Sequence, residues 1–229
     1  MSPLLFIVFF IAIVAAILAG LHFDRKERLR RNGMLLQVLA PMGLRLSDWE
    51  HRGEDWPLFE NAVQLKKGHS RYAYNVGTGR YAGHEVTTFD YHYAVTSSNG
   101  KSTTTRHYHL SCAAVSLDRR YPVLTVFPEG FGSKIAQFFG YDDIDFESKA
   151  FSDAYCVRCE DKRFAYDVIT PGMMEYLLSR EGLHFEITGK TLLVTHDRLI
   201  DPQELPALLN RAVKIRNRIP GHVMPAPIR

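Results

Sequence analysis

Cysteine is scarce in this chain, with three residues in 229. So small and odd a number argues against a secreted disulfide framework and fits reduced thiols in a cytosolic compartment. An excess of basic charge is also missing. The formal net charge is +3, too little for the strongly basic face that nucleic acid demands, so nucleic acid is not an expected partner. The chain has no G-x-S-x-G nucleophile elbow, no Walker loop and no internal repeat. These gaps remove the common hydrolase and nucleotide-binding classes. What remains is an ordinary globular composition, 46% hydrophobic, with room for one domain and a short appendage.

One further absence is local. From Pro3 to Phe23, "PLLFIVFFIAIVAAILAGLHF" carries no formal charge. The 18 residues from Leu4 to Leu21 span about 27 Å as a helix, close to the roughly 30 Å of a hydrocarbon core. No Lys or Arg precedes the run, and it is longer than the core of a signal peptide, so a membrane helix is expected over 1–23 rather than a cleaved leader. Arg25, Lys26, Arg28, Arg30 and Arg31 follow directly. Basic residues stay on the cytoplasmic side. The expected topology is single-pass in the inner (plasma) membrane, N-terminus out and domain cytoplasmic. The five cations form a membrane-surface collar against the lipid bilayer.

Beyond the run, 24–46 reads as a basic amphipathic helix with Leu29, Leu35, Leu36 and Leu39 on its apolar positions, closed by Pro41 and Gly43. Residues 47–58 read as a linker, 59–219 as the folded domain and 220–229 as a Pro-rich tail. Between 59 and 130 the chain is rich in Tyr, Val and Thr, the pattern of strands. Gly77, Gly79 and Gly83 resemble a nucleotide-binding glycine run, but a β-rich segment follows where a helix is required, so a hairpin turn is expected. "SKIAQFFGY" (133–141) reads as a short helix. "DIDFE" (143–147) alternates as a strand with one wet face. From Asp142, the sixth and twelfth residues are Glu147 and Asp153, which does not fit a calcium loop. Residues 154–170 read as β with a turn at "EDKR". A helix follows, with Thr170 as N-cap and Pro171 in its first turn. "HFEITGKTLLVTHD" reads as a hairpin turning at Thr188–Gly189–Lys190. The last helix has Asp201 as N-cap, Pro202 at N1 and Glu204 at N3. The fold class expected is α+β: a largely antiparallel sheet with two or three helices on one side.

The chemistry-bearing stretch is "FDYHYAVTSSNGKSTTTRHYHLSC", residues 89–112. Asn99–Gly100 is a strong hairpin signal. A two-residue turn there places His92 opposite His107 and Asp90 opposite His109, all on one face because side chains alternate. The other face, with Phe89, Tyr91 and Tyr93, is the apolar one. Three readings stay open. Three imidazoles and a carboxylate suit zinc, with His92, His107 and His109 as ligands and Asp90 as ligand or ligand partner. Equally, the four residues form an outward polar face, or a pH-sensitive patch. The small polar loop "SSNGKSTTT" allows the register to slip. Cys156 and Cys159 form a single C-x-x-C in an extended segment, so the two thiols point apart and read as structural.

In the order and spacing of "SRYAYNVGTGRYAGHEVTTFDYHY", "PEGFGSKIAQFFGYDDIDFES" and "FAYDVITPGMMEYL", the chain resembles a group of bacterial membrane-anchored proteins described as domains of unknown function. The resemblance spans roughly 59–215. It implies a membrane tether and this architecture, and transfers no catalytic residue. The expectation is a non-enzymatic binding or scaffolding module, without a cofactor, that meets the bilayer and a membrane-associated protein. The alternatives are a zinc-dependent hydrolase on the histidine hairpin and an envelope or lipid sensor built on the basic collar.

Overall fold

The structure, a computed structural model, describes residues 3–47, 51–52, 56, 58, 62–129, 142–180 and 182–223, with side chains between 3 and 25 described only at 9–10, 13–14 and 22. The helix expected at 133–141 and most of the tail lie outside these residues. Helix α1 runs unbroken from Pro3 to Leu39, 37 residues, about 55 Å at 1.5 Å per residue. The elements expected separately at 1–23 and 24–46 are therefore one helix, because no Pro interrupts it before Pro41. A 3-10 turn over Ala40–Met42 and Gly43 at φ 75° end it, with Gly43 N–H donating to Ala40 O. Among the described residues, no helix is long and apolar enough to cross a membrane.

The domain is α+β around one antiparallel seven-stranded sheet. Its strands are β1 (Leu44–Ser47), β2 (His51–Arg52), β3 (His69–Tyr81), β4 (His84–Ser98), β5 (Thr103–Pro128), β6 (Tyr155–Cys159) and β7 (His184–Thr195). The order is β1-β3-β4-β5-β6, with β2 also on β3 and β7 also on β5. The 26-residue β5 is the spine. It pairs β4 along its first half, then β7 from Cys112 to Val126 and β6 from Leu124 to Pro128. Among the described residues, four further helices follow: α2 (Lys149–Ser152), α3 (Lys162–Val168), α4 (Pro171–Leu178) and α5 (Leu205–Arg216).

Both faces of the sheet are buried. The larger core joins Leu35 and Leu39 of α1 to Val86, Val115, Val126 and Val194 of the sheet and to Phe164, Met173, Leu177, Leu208 and Leu209 of the helices. The smaller core, on the opposite face, gathers Phe89, Tyr91 and Tyr93 with Ala62, Leu65 and Leu193, and Trp56 and Leu58 pack against it. The aromatic face of the hairpin thus meets a core, as its pattern requires. Glycines make room for α1. A Cβ on Gly77 would stand 2.8 Å from Leu39 Cδ1, and one on Gly79 would stand 2.6 Å from Gly43 O. Those two glycines lie inside β3, and the turn itself is Ala82–Gly83, both at positive φ as a two-residue hairpin demands.

Four local readings are corrected. Residues 44–47 and 51–52, expected as helix end and linker, are edge strands on β3, because their backbone completes pairing with Leu44↔Gly79 and His51↔Ala73. "DIDFE" makes one bridge, Asp143↔Arg158, and is otherwise irregular. The "EDKR" turn opens α3, where the Asp161 side chain accepts Phe164 N–H as an N-cap and Phe164, Ala165 and Val168 are buried. The hairpin expected at Gly189 is a single strand: β7 bends there, at φ 53°, and stays paired with β5 on both sides of the bend. The two C-terminal helices stand as read, capped by Thr170 and by Asp201, the latter through a 3-10 turn over Pro202–Glu204 that leads into α5.

One carboxyl group is held inside this frame. Glu186 of β7 is fully buried and turned away from the larger core, where its two oxygens accept the N–H groups of Val63 (2.7 Å) and Gln64 (3.0 Å) at the start of a 3-10 turn. Burial outweighs these donors and nearby Lys66, and pushes its pKa from 4.5 up to about 7. The folded state therefore holds this proton more tightly than the unfolded chain. That contribution to stability is complete below the unfolded value of 4.5 and is lost as pH rises through about 7. Glu186→Gln cannot lose a proton, so thermal unfolding between pH 5 and pH 8 should shift in favour of the variant as pH rises. A difference between the two proteins that is constant with pH would show that the buried carboxyl does not titrate in this window.

Candidate functional site

The hairpin carrying the histidines closes with a four-residue loop, not a two-residue turn. Asn99 Oδ1 accepts the N–H groups of Lys101 (3.1 Å) and Ser102 (2.9 Å), so the last pair is Ser98↔Thr103. The register consequently moves by two residues. His92 stands opposite His109, Ala94 opposite His107 and Asp90 opposite Ser111. A shift of two keeps every side chain on its face, so His92, His107, His109 and Asp90 do share one face, with different neighbours from those expected.

That face is not uniformly wet. It continues the surface that carries Val86 and the larger core, and α1 lies over it. Asp90 and His92 are 4% and 5% exposed, whereas His107 and His109 are exposed. His92 Nε2 meets His107 Nδ1 at 3.0 Å, His92 Nδ1 meets Ser70 O at 2.9 Å, and His109 Nδ1 meets the Tyr74 hydroxyl at 2.9 Å. Tyr72 stacks on His92 with ring centres 4.5 Å apart. Partial burial, then His92 and His107, lower the pKa of His109, only partly opposed by Asp90. The row is thus a hydrogen-bonded aromatic ladder. Among the described residues, the one set of three donor atoms within 4.8 Å of one another is Glu129, Asp143 and Cys156, not the imidazoles. Asp143 Oδ1 there already accepts the N–H groups of Ile144 and Val157, and burial raises the Cys156 thiol. Cys156, Cys159 and Cys112 are all free and buried.

Asp90 is turned to another partner. Arg31 donates through Nε (2.7 Å) and Nη2 (2.8 Å) to its two oxygens, Asn75 Nδ2 donates at 2.8 Å and Ser111 Oγ at 3.0 Å. Arg31 Nη1 also donates to Ile200 O at 2.9 Å. Four donors answer the carboxylate, which is what burial of a charge requires. Burial alone would lower the Arg31 pKa; Asp90 more than offsets this and leaves it raised. Arg31 therefore does not belong to a membrane-facing collar. It fastens α1 to the sheet, while Lys26, Arg28 and Arg30 remain exposed. Sequence reasoning missed this pair because its members are 59 residues apart.

Where α1 leaves the sheet, a cavity of about 510 Å³ opens between them. Its helix wall is Glu27, Arg30, Arg31 and Met34, at the i, i+3, i+4 and i+7 spacing of one helix face, with Arg28 at its margin. Its sheet wall is Tyr72, Tyr74 and Asn75 of β3 with His109 of β5, and Leu199, Asp201 and Pro202 close one end. Burial, then Asp90, pushes the Tyr74 phenol up, so it stays a neutral donor and acceptor. The volume falls in the range of small-ligand sites, and the lining combines rings with a few polar groups.

No family model matches the chain, and no curated protein does. Among solved structures, the crystal structure of the mycobacterial trehalose monomycolate transport factor A, TtfA, is similar, with a TM-score of 0.58 at 12% identity, over 87% of this chain and 98% of that one. At that identity the likeness is one of fold.

The ion pair is testable by a double-mutant cycle on the full chain in detergent. Arg31→Met leaves Asp90 buried without its charge partner and should lower unfolding free energy by about 3–5 kcal/mol. Adding Asp90→Asn should restore a large part of that loss. Simple additivity of the two losses would show that the side chains do not act as a pair.

Proposed function

We propose that the chain is a single-pass, non-enzymatic binding module of the inner membrane, N-terminus out, whose cytoplasmic domain holds a lipid-like ligand in the groove between α1 and the sheet. One observation carries this reading. The helix that contains the apolar run is the same helix that forms a groove wall. Residues 27–34 begin four residues after Phe23, so the groove starts about 6 Å beyond the apolar run and ends about 16 Å beyond it. The headgroup layer is about 5–8 Å thick on each side, so the groove runs from its outer edge into the water just outside it. Arg28 and Arg30 there support the contact with anionic surface that the basic collar suggested. The fold shared with a mycobacterial trehalose monomycolate transport factor is compatible with a lipid-like ligand.

Two experiments test it. A reporter active only outside the cytoplasm, fused after Arg229, should remain silent; activity would place the domain on the wrong side. The full chain, purified in mild detergent without chelator or histidine tag, should retain lipid detectable by mass spectrometry, and Arg28→Glu with Arg30→Glu should release it. The same preparation should hold zinc far below one ion per chain. Lipid-free protein with stoichiometric zinc that disappears in His107→Ala would replace this reading with a zinc site on His92, His107 and His109.

A further inference from the structure

The first half of β5 is paired on one side only. From Thr103 to Leu110 it lies against β4, and β7 joins its other side only from Cys112. Thr103–His109 is exposed throughout, and among the described residues nothing pairs with its outer side. Ser111 fixes the direction of the backbone groups. Its N–H donates to Arg198 O at 3.2 Å and its carbonyl accepts His196 N–H at 2.9 Å, both in the segment that continues β7. Ser111 therefore turns its backbone away from β4. In an antiparallel strand both groups of a residue point to one side, and the side alternates along the chain. Thr103, Thr105, His107 and His109 thus present their N–H and carbonyl groups outward as well.

Proteins usually blunt such an edge with Pro, a bulge or several charges. This stretch has no Pro, pairs with β4 without a register shift, and carries one charge, Arg106. The charges around it have one sign. From Tyr91 to Leu117 the chain holds no Asp or Glu, whereas Lys101 and Arg106 are cationic. Arg106 is exposed and makes no ion pair among the described residues. It shares a sheet face with Tyr108, which stacks on Tyr93 with ring centres 4.9 Å apart, and Lys67 Nζ stands 5.5 Å from the Tyr93 ring centre. We propose that the outer side of Thr103–His109 is a docking strand for an extended acidic segment of a partner protein, which adds to the sheet beside β5. Backbone pairing supplies affinity, and the side chains supply selection. A carboxylate opposite Arg106 and an apolar residue beside Tyr108 make favourable cross-strand pairs. A second copy of this chain would instead bring together two edges of the same sign. The inference stands apart from the groove and its ligand.

The test uses the full chain in non-ionic detergent and two fluorescein-labelled octapeptides, one alternating Val and Glu, the other Val and Lys. Anisotropy should show the Glu peptide bound about tenfold more tightly, the size of one hydrogen bond to a charged group. Arg106→Glu should reverse the preference. Thr105→Pro removes an N–H that faces solvent, a position where an edge strand tolerates Pro. It should leave unfolding nearly unchanged and weaken the Glu peptide by about tenfold or more. Thr105→Ala, which loses the hydroxyl contact with Thr96 (2.9 Å) but keeps the N–H, should bind like the natural chain. In the natural chain, the bound peptide should slow amide exchange at Thr103, Thr105, His107 and His109, a readout that holds even if Thr105→Pro fails to fold. No binding of either peptide, or no slowing at those amides, overturns the proposal. Equal binding of both peptides overturns the acidic assignment. Binding that survives Thr105→Pro assigns the peptide to another surface, such as the basic turn of α1. Self-association of the natural chain that Thr105→Pro abolishes gives the edge to a second copy and overturns the partner.

Discussion

The Arg31–Asp90 pair fixes the relation between α1 and everything else. Asp90 sits near the middle of β4, with Asn75 reaching it from β3 and Ser111 from β5. Ser111 Oγ in turn accepts Ile200 N–H, and Arg31 donates to Ile200 O. One carboxylate thus ties together the helix, three strands and the segment after β7. An isolated buried carboxylate would cost several kcal/mol, so the arrangement holds only when Arg31, Asn75 and Ser111 are all in place. With Arg31 pinned, the rotation of α1 about its own axis is set. Leu35 and Leu39, one and two turns further on, then fall into the larger core, and Gly77 gives Leu39 the space it needs.

This explains why the polar face of the hairpin was only half legible. Alternation along β4 and β5 correctly placed His92, His107, His109 and Asp90 together. It could not say which of them a distant helix would cover. The covered end became an ion pair and the uncovered end a histidine ladder, although both look alike in sequence. The register failed for a local reason. Asn99 prefers to bond the loop backbone with its side chain, which adds two residues to the turn that Asn-Gly suggests. Since two is the period of a strand, the faces survived the error while the opposed pairs did not.

Elsewhere the sequence was informative where local chemistry dominates. Thr170–Pro171 and Asp201–Pro202 announce helix starts through capping, and Pro41 with Gly43 announces a stop. It was less informative where pairing partners lie far away. The bend of β7 at Gly189 looks like a hairpin turn because the same left-handed glycine serves both. Only β5, long enough to pair on both sides of the bend, decides between them. Likewise "EDKR" reads as a turn until Asp161 is seen to cap a helix whose apolar residues, Phe164, Ala165 and Val168, face the core. Glu186 carried no signal at all. Its isolation amid Phe185 and Ile187 is the pattern of an ordinary wet position, and only the turn at Val63–Lys66 folding over that face buries it.

On the proposed topology, the continuity of α1 has a mechanical consequence. A flexible linker between anchor and domain would leave the groove at any height and orientation above the bilayer. A helix without interruption removes both freedoms, because rise and rotation per residue are fixed. The Arg31–Asp90 tie extends that constraint into the sheet. The groove then opens at one height and toward one side, at the outer edge of the headgroup layer. The same rigidity makes Arg28 and Arg30 wall residues instead of a mobile basic cluster.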